Sequence, residues 1–275
     1  MADHNDSTNN LDFIAVDGSF QEKLLDYTSL EYSADAALGN RSSISVWNKF
    51  GYNLDVDSAA EELIASFGGS INIMTTGDTL DVVSSSTSDT AAGTGVRAVY
   101  IIGIDENSVE QEELVTMNGT TPVTTTKQWL GINRVYAISA GSGGDAAGTI
   151  TIDDTSNAVG VQATIPQGSN VTQQSVFHVP INKTFLAKWL VLNGRKLSGG
   201  GGSPRITFKG WSYSRVTGMT YEIFREDIDT DVENTIELNP SVPFPVGGRE
   251  VLYFTASTDV NNTAVNCRFS GTLHG

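Results

Sequence analysis

The sequence predicts an all-β fold of two antiparallel β domains: a small β-sandwich or meander, followed by a jelly-roll-like sandwich. Composition is the first reason, because 28 glycines accompany short runs rich in Thr, Ser and Val, which is typical of sandwiches and barrels. Spacing is the second, because turn signals cut these runs roughly every ten residues. Neither composition nor spacing fits a helical bundle.

The chain divides into three predicted segments. Residues 1–45 are polar and mixed, and we expect an irregular N-terminal arm. Within it, SFQEKLLDYTSLEYSADAALGN is either a short helix or an extended segment, which Gly39 and Asn40 close. Residues 46–168 form the predicted first β-sandwich domain, and residues 174–275 the jelly-roll-like one. The stretch IPQGSNVTQQ, with its Pro, Gly and Asn, marks the boundary between them.

One short helix is predicted near residues 57–67. The segment has a capping residue, an acidic first turn, an apolar stripe and a closing pair of glycines. These features are carried by Asp57 or Ser58, by Glu61 and Glu62, by Leu63, Ile64 and Phe67, and by Gly68 and Gly69.

The stretch VRAVYIIGID, from Val96 to Asp105, is the clearest strand of the first domain. Its residues are apolar at both alternating sets of positions, which predicts a central strand covered on both faces. Further along, Asn118 and Gly119 form the strongest short hairpin signal in the chain.

The second domain begins at Val176 and reads as seven or eight strands with no helix between them. Pro240, Pro243 and Pro245 would each remove a ladder hydrogen bond, so their segment is predicted to be an edge or a crossing loop.

Net charge and the absence of targeting signals limit the classes of partner that we expect. The formal net charge is −16, from 32 acidic and 16 basic side chains, and nucleic-acid binding is therefore disfavoured. The start MADHNDSTNNLDF lacks the basic and apolar regions of a signal peptide, and no run reaches the ~20 apolar residues of a membrane helix. We expect folding in a cytoplasm and no membrane partner. The single cysteine, Cys267, excludes an internal disulfide.

An acidic stretch is the best candidate for a bound ion. Four carboxylates alternate along REDIDTDVEN, so on a strand they would share one face and could bind Ca²⁺. They are Asp227, Asp229, Asp231 and Glu233. Val232 stands where an EF-hand loop needs Gly, and a solvated acidic rim is the preferred interpretation, with no cofactor expected.

Aromatic residues offer a second candidate site. Trp211 and Tyr213 share a face of one predicted strand, whereas Phe208 lies on the other. Aromatic faces stack on sugars, so Trp211 and Tyr213 are candidate glycan contacts, with core packing as the default interpretation.

The sequence contains few signs of a catalytic site. The three histidines, His4, His178 and His274, form no argued set with Ser or Cys, and a structural or surface role is favoured for His178. The glycine-rich stretch GSGGDAAG precedes a strand rather than a helix, so it does not fit a dinucleotide-binding loop. A non-enzymatic protein is expected.

Three phrases of the sequence resemble virion structural proteins of tailed bacteriophages. They are VWNKFGYNLDVDSAAEELIASFGG, SSSTSDTAAGTGVRAVYIIGID and VTMNGTTPVTTTKQWLGINRVYAISAGSGGDAAGTITI, within about residues 46–152. The later half, through VFHVPINKTFLAKWLVLNG, is more loosely similar.

The resemblance implies a particle component and carries no active-site residue. The first hypothesis is a decoration or cement protein that bridges shell subunits, with the major capsid protein as partner and a homo-oligomer, a trimer by family habit, as its state. The alternative is a tail-, neck- or fibre-associated protein that binds a host glycan. Either places the chain in the virion, after assembly in the host cytoplasm.

Overall fold

The computed structural model describes residues 34–41, 43–58, 60–197, 202–240 and 242–275, and the backbone of 12–16 and 19–23. The chain divides into two compact units, Met1–Val46 and Trp47–Gly275. The described strands are antiparallel and only one helical turn accompanies them, which confirms the all-β fold.

The first unit is more regular than the expected arm. Strands β1 (Asp12–Val16) and β2 (Ser19–Lys23) pair as an antiparallel hairpin. A helical turn follows at 34–37. The carboxylate of Asp35 accepts a hydrogen bond from Arg41 at 3.0 Å, which ties this turn to the chain beyond it.

Two sheets build the first part of the second unit. Their orders are β11-β10-β5-β8 and β7-β6-β9. The strands are β5 (Leu80–Ser84), β6 (Val96–Ile104), β7 (Glu110–Thr116), β8 (Val123–Thr124), β9 (Gly131–Ala140), β10 (Ile150–Asp154) and β11 (Val161–Ile165). Alternate side chains of both sheets bury a shared apolar core, in which Leu80, Ile101 and Ile152 are fully buried.

Two further sheets build the rest, in the orders β12-β18-β14-β15 and β16-β13-β19-β3, with β4 paired to β18 and β17 to β13. The strands are β3 (Ile44–Val56), β4 (Glu62–Leu63), β12 (Val176–His178), β13 (Thr184–Lys196), β14 (Arg205–Ser214), β15 (Thr220–Asp229), β16 (Thr235–Leu238), β17 (Phe244–Val246), β18 (Glu250–Thr258) and β19 (Thr263–His274). Phe177, Phe185, Phe208 and Phe269 lie at the centre of their apolar core.

These two cores follow the predicted segments, except that β3 and β4 join the second core. Residues 47–275 nevertheless form one compact unit. The division at residues 168–174 and the jelly-roll connectivity stay predictions. The proline-rich segment is an edge as expected, because β17, which contains Pro245, pairs with β13 alone.

The expected helix near residues 57–67 is wrong. The segment forms turns and the short strand β4 instead. Leu63, Ile64 and Ala65 are consecutive and all fully buried, whereas the apolar stripe of a surface helix buries only every third or fourth residue. Its backbone bonds to other strands, for example from the Ile64 N–H to the Phe254 carbonyl at 3.0 Å. Tertiary hydrogen bonds replace helical ones here.

Two expectations for the first core need correction. Strand β6 is central, but its second face is only half covered, with Tyr100 and Ile102 partly exposed. Gly119 adopts the left-handed turn conformation, with φ of 62°. The strands that flank it do not form a hairpin, because β7 pairs with β6 and β8 pairs with β5.

A buried carboxylate, Asp89, organises the loops of the first core. It is fully buried and accepts a hydrogen bond from the Ser84 hydroxyl at 2.6 Å. It also accepts bonds from the backbone N–H groups of Val96, Ala147 and Gly148 at 2.7, 3.0 and 2.9 Å. Four donors satisfy this carboxylate, which forms no salt bridge in the part of the chain that the structure describes. The glycine-rich stretch GSGGDAAG therefore supplies donors to this carboxylate.

Polar groups join the two cores. Asn133 on β9 donates to the backbone carbonyl of His178 on β12 at 2.9 Å, and the His178 N–H donates to the Asn133 side chain at 2.7 Å. The Lys49 ammonium donates to the Asn133 carbonyl. Burial, reinforced by the nearby Arg134 charge, lowers the pKa of Lys49 well below its ordinary value.

Arg215 completes this junction. Its guanidinium donates to the carbonyls of Met74 and, at 2.9 Å, Leu130, and it lies 3.0 Å from Nδ1 of His178. Burial and the charges of Arg215 and Lys49 lower the pKa of His178 well below its ordinary value. His178 is thus a buried, neutral residue, as a structural role requires.

Replacing Asp89→Asn is expected to lower the free energy of unfolding by about 2 to 4 kcal/mol, because an amide offers one acceptor oxygen where two are needed and leaves buried N–H groups unpaired. Urea unfolding measures the change. The control is Asp145→Asn in the same glycine-rich stretch, expected to cost at most about 0.5 kcal/mol. Equal losses in the two variants would contradict a central role for Asp89.

Replacing Lys49→Met is expected to raise the free energy of unfolding at pH 7 by roughly 1 kcal/mol or more, because it removes a buried cation that has no carboxylate partner. The lowered pKa means that folding disfavours proton binding at this site. The gain should therefore shrink as pH rises towards 10.5, the ordinary lysine value. Thermal melts across pH test this, with Lys127→Met as an exposed control; a gain that does not vary with pH would contradict the explanation.

Candidate functional site

The acidic candidate site does not form a cluster. Asp227 and Asp229 lie on β15, but Asp231 and Glu233 lie in the turn after it. The N–H groups of Val232 and Glu233 both donate to the Asp229 carbonyl at 2.9 Å, which ends the strand alternation. Among the residues that the structure describes, no three His, Cys, Asp or Glu side chains are placed to hold a metal ion. Calcium binding here stays a prediction without structural support.

Trp211 is half-buried and its polar edge is satisfied within the fold. Its indole N–H lies 2.8 Å from the Thr255 hydroxyl and 3.1 Å from Glu61. The ring centre lies 5.5 Å from the Lys209 ammonium and 6.4 Å from the stacked Tyr253 ring. These contacts favour a packing role over a sugar platform.

Glu61 is the polar centre of this patch. It accepts hydrogen bonds from Lys209, Thr255 and Trp211. Burial raises the pKa of the Glu61 carboxyl, but the bonds from Lys209 and Thr255 outweigh this, and the pKa lies below its ordinary value. The carboxylate is thus held ionised by its partners, which suits a structural anion better than a general acid.

Tyr213 shares the face of Trp211, whereas Phe208 points into the core, as the alternation predicted. Tyr213 also lines a polar cleft of about 410 Å³ together with Glu106, Arg215 and Arg249. The sequence also predicts that the glycine-rich loop at 199–202 lies on one ridge with Trp211 and Tyr213, but residues 199–201 lie outside the described residues. A glycan contact at Trp211 and Tyr213 stays a prediction, with only Tyr213 placed at a cleft.

A basic and aromatic surface, which the sequence analysis did not find, covers the outer side of β3, β13 and β19. Phe50, Tyr52, Arg195 and Arg268 line a concavity of about 310 Å³. Phe50 also lines a second concavity, of about 450 Å³, together with Arg134. We call these five residues the basic face.

Aromatic rings, rather than carboxylates, position the arginines of the basic face. The Arg268 guanidinium carbon lies 5.3 Å from the centre of the Phe50 ring, and that of Arg134 lies 5.3 Å from the Trp47 ring. Arg195 approaches the Tyr52 hydroxyl at 3.5 Å. None of the three arginines forms a salt bridge within the described part of the chain.

The basic face was missed because its residues are far apart in sequence. They come from β3, β9, β13 and β19, and no short segment is enriched in basic residues. The one local signal was in β3, where Phe50 and Tyr52 alternate within the segment NKFGYN. Only the pairing of β3 and β13 with β19 brings the set together.

Comparisons with known proteins do not assign this chain to a family. No family model and no curated protein matches the chain. A structure of infectious bursal disease virus, Gt strain, is 12% identical over 85% of this chain and 73% of its own, with a TM-score of 0.22. A structure of T=1 particles derived from infectious bursal virus is 10% identical over 84% and 78%, with a TM-score of 0.14.

These TM-scores are too low for the likeness to carry an argument about this chain. The resemblance to virion proteins of tailed bacteriophages therefore stays a prediction from sequence.

In the part of the chain that the structure describes, no helix is long and apolar enough to cross a membrane.

Proposed function

We propose that this chain is a non-enzymatic structural protein of a virus particle, which acts through surfaces that contact other subunits. The basic face carries the proposal. Its three arginines form no salt bridge within the described residues, on a chain with 32 acidic and 16 basic side chains. The planar guanidinium group of Arg binds a carboxylate through two parallel hydrogen bonds and is weakly hydrated. A set of such groups is therefore typical of a protein interface.

The finer proposal is a decoration or cement protein on the head of a tailed phage, bridging shell subunits, with the major capsid protein as partner. The sequence phrases that resemble phage virion proteins support it. An acidic chain also suits the outside of a shell better than contact with packaged DNA. A jelly-roll-like second sandwich, an oligomeric state and assembly in the host cytoplasm belong to this proposal.

The absence of enzymatic activity is part of the proposal and has support in the positions of the reactive groups. His178 and Cys267 are fully enclosed. Burial raises the pKa of the Cys267 thiol well above its ordinary value, which disfavours the reactive thiolate. Asp89 is committed to four donors. These groups have structural tasks that conflict with turnover.

One observation favours the alternative, a tail-, neck- or fibre-associated protein that binds a glycan. The cleft is lined by the aromatic residue Tyr213 and by the charged residues Arg249 and Glu106, while Arg215, which also lines it, has its guanidinium engaged in the junction. Sugar sites use such mixtures of stacking and directional polar groups. Trp211 does not line this cleft, so the alternative rests on Tyr213 rather than on both rings.

Immunogold electron microscopy of particles from the source is the test of the main proposal. Antibody raised against the purified chain is expected to label heads over their whole surface, because a decoration protein covers the shell. Antibody adsorbed with excess chain is the control. Label confined to tails would favour the glycan-binding alternative, and particles without label would overturn the virion role.

The alternative makes its own prediction. If the cleft binds a glycan, Tyr213→Ala should lower binding of the purified protein to a glycan array by about tenfold, because the stacking ring is lost. Val216→Ala, on the same rim, is the control and should bind as the wild type does. Absence of array binding by the wild-type protein would remove the alternative.

A further inference from the structure

A second charged surface lies on β15 and the turn after it, at residues 220–233, which we call the acidic edge. It holds six carboxylates and one cation. Arg225 pairs with Glu222 at 2.9 Å, and Asp229 pairs with Arg205 at 3.4 Å. The other four carboxylates form no salt bridge within the described residues. They are Glu226, Asp227, Asp231 and Glu233.

The acidic edge and the basic face lie on opposite sides of the second sandwich. Strand β3 ends one sheet and lies over β12, as the 5.0 Å contact between the Trp47 and Phe177 rings shows. Strand β15 ends the other sheet at the far side, where Phe224 lines a small apolar cavity with Leu190 and Pro240. The sandwich therefore has one cationic and one anionic flank.

Both flanks also end sheets. In the sheet orders, β3 has β19 as its single neighbour and β15 has β14 as its single neighbour. Strand edges are sites where another chain can add, and charge on an edge controls which chain does so. Like flanks repel each other, whereas a cationic flank and an anionic flank attract.

We propose that the basic face of one copy of this chain contacts the acidic edge of a second copy. The contact is heterologous, so each copy keeps one flank of each kind for a further neighbour. Such contacts close into rings or continue as open arrays. The proposal deepens the structural role proposed above, on which its biological setting rests, but the contact itself needs only the purified chain.

The geometry of the arginines supports this occupant. The guanidinium carbon of Arg268 lies 5.3 Å from the centre of the Phe50 ring, and no salt bridge within the described residues uses its N–H groups. Arg134 lies as close to the Trp47 ring and donates one hydrogen bond to the Asn48 carbonyl, but it too has no carboxylate partner in that part of the chain. A carboxylate accepts two such bonds at once. Glu237, which lies on the same sheet, instead accepts the indole N–H of Trp189 at 2.8 Å.

Sedimentation velocity of single and mixed variants tests the proposal. Wild-type protein at low salt is expected to associate with rising concentration, and about 1 M salt should reverse this by screening. The basic-face variant, Arg195→Gln with Arg268→Gln, and the acidic-edge variant, Asp227→Asn with Glu233→Gln, should each associate about tenfold more weakly.

The mixture of the two variants is the decisive measurement. Each variant keeps the flank that the other lacks, so an equimolar mixture should form one-to-one dimers with wild-type affinity and nothing larger. A control double variant, Lys127→Gln with Asp145→Asn, removes two charges outside both flanks without changing the net charge and should associate as the wild type does. Circular dichroism of every variant checks that the fold is kept.

Three outcomes would overturn the proposal. Wild-type protein that stays monomeric at all concentrations has no such contact. An acidic-edge variant that associates like the wild type shows that the basic face takes another partner, and a mixture that forms no dimer shows that the two flanks do not meet. None of these results would alter the immunogold test, so the contact and the virion role can fail separately.

Discussion

The buried carboxylate of Asp89 is the constraint on which the first core depends. Its charge is far from water, so the surrounding backbone has to supply donors, and it does so from β6 and from the glycine-rich stretch. Close packing around it leaves no room for larger residues: a Cβ at Gly95 would lie 2.1 Å from the carboxylate oxygen. One side chain thus determines the path of two loops and the glycine that one of them contains.

Charged side chains serve two different purposes in this protein. Several carboxylates act as internal hydrogen-bond acceptors; Asp154, for example, collects the Ser156 hydroxyl and the N–H groups of a turn, and although burial raises the pKa of its carboxyl, these bonds bring it below its ordinary value. The basic face instead presents cations that the described fold does not neutralise. This difference separates Asp89 and Asp154, which hold the fold together, from the arginines of the basic face, which we assign to partners.

Patterns of short range were predicted from the sequence, and patterns of long range were not. The central position of β6, the edge position of Pro245 and the opposite faces of Phe208 and Trp211 all follow from alternation or from backbone chemistry. The predicted helix near residues 57–67 does not form, because capping residues and apolar spacing favour a helix only where neighbouring strands do not bond to the same backbone groups. The basic face could not be predicted from the sequence, because its residues lie on four strands that come together only in the folded chain.

The junction between the cores has a consequence for folding. Its contacts join residues that are 84, 85 and 141 positions apart, from Lys49 to Asn133 and from Arg215 to Leu130 and Met74. Closing such long loops costs chain entropy. The polar contacts of the junction offset this cost only when both apolar cores already exclude water. We therefore expect the junction to form in the last stage of folding, so that a chain stopped before then would hold two formed cores with the cations of Lys49 and Arg215 exposed between them.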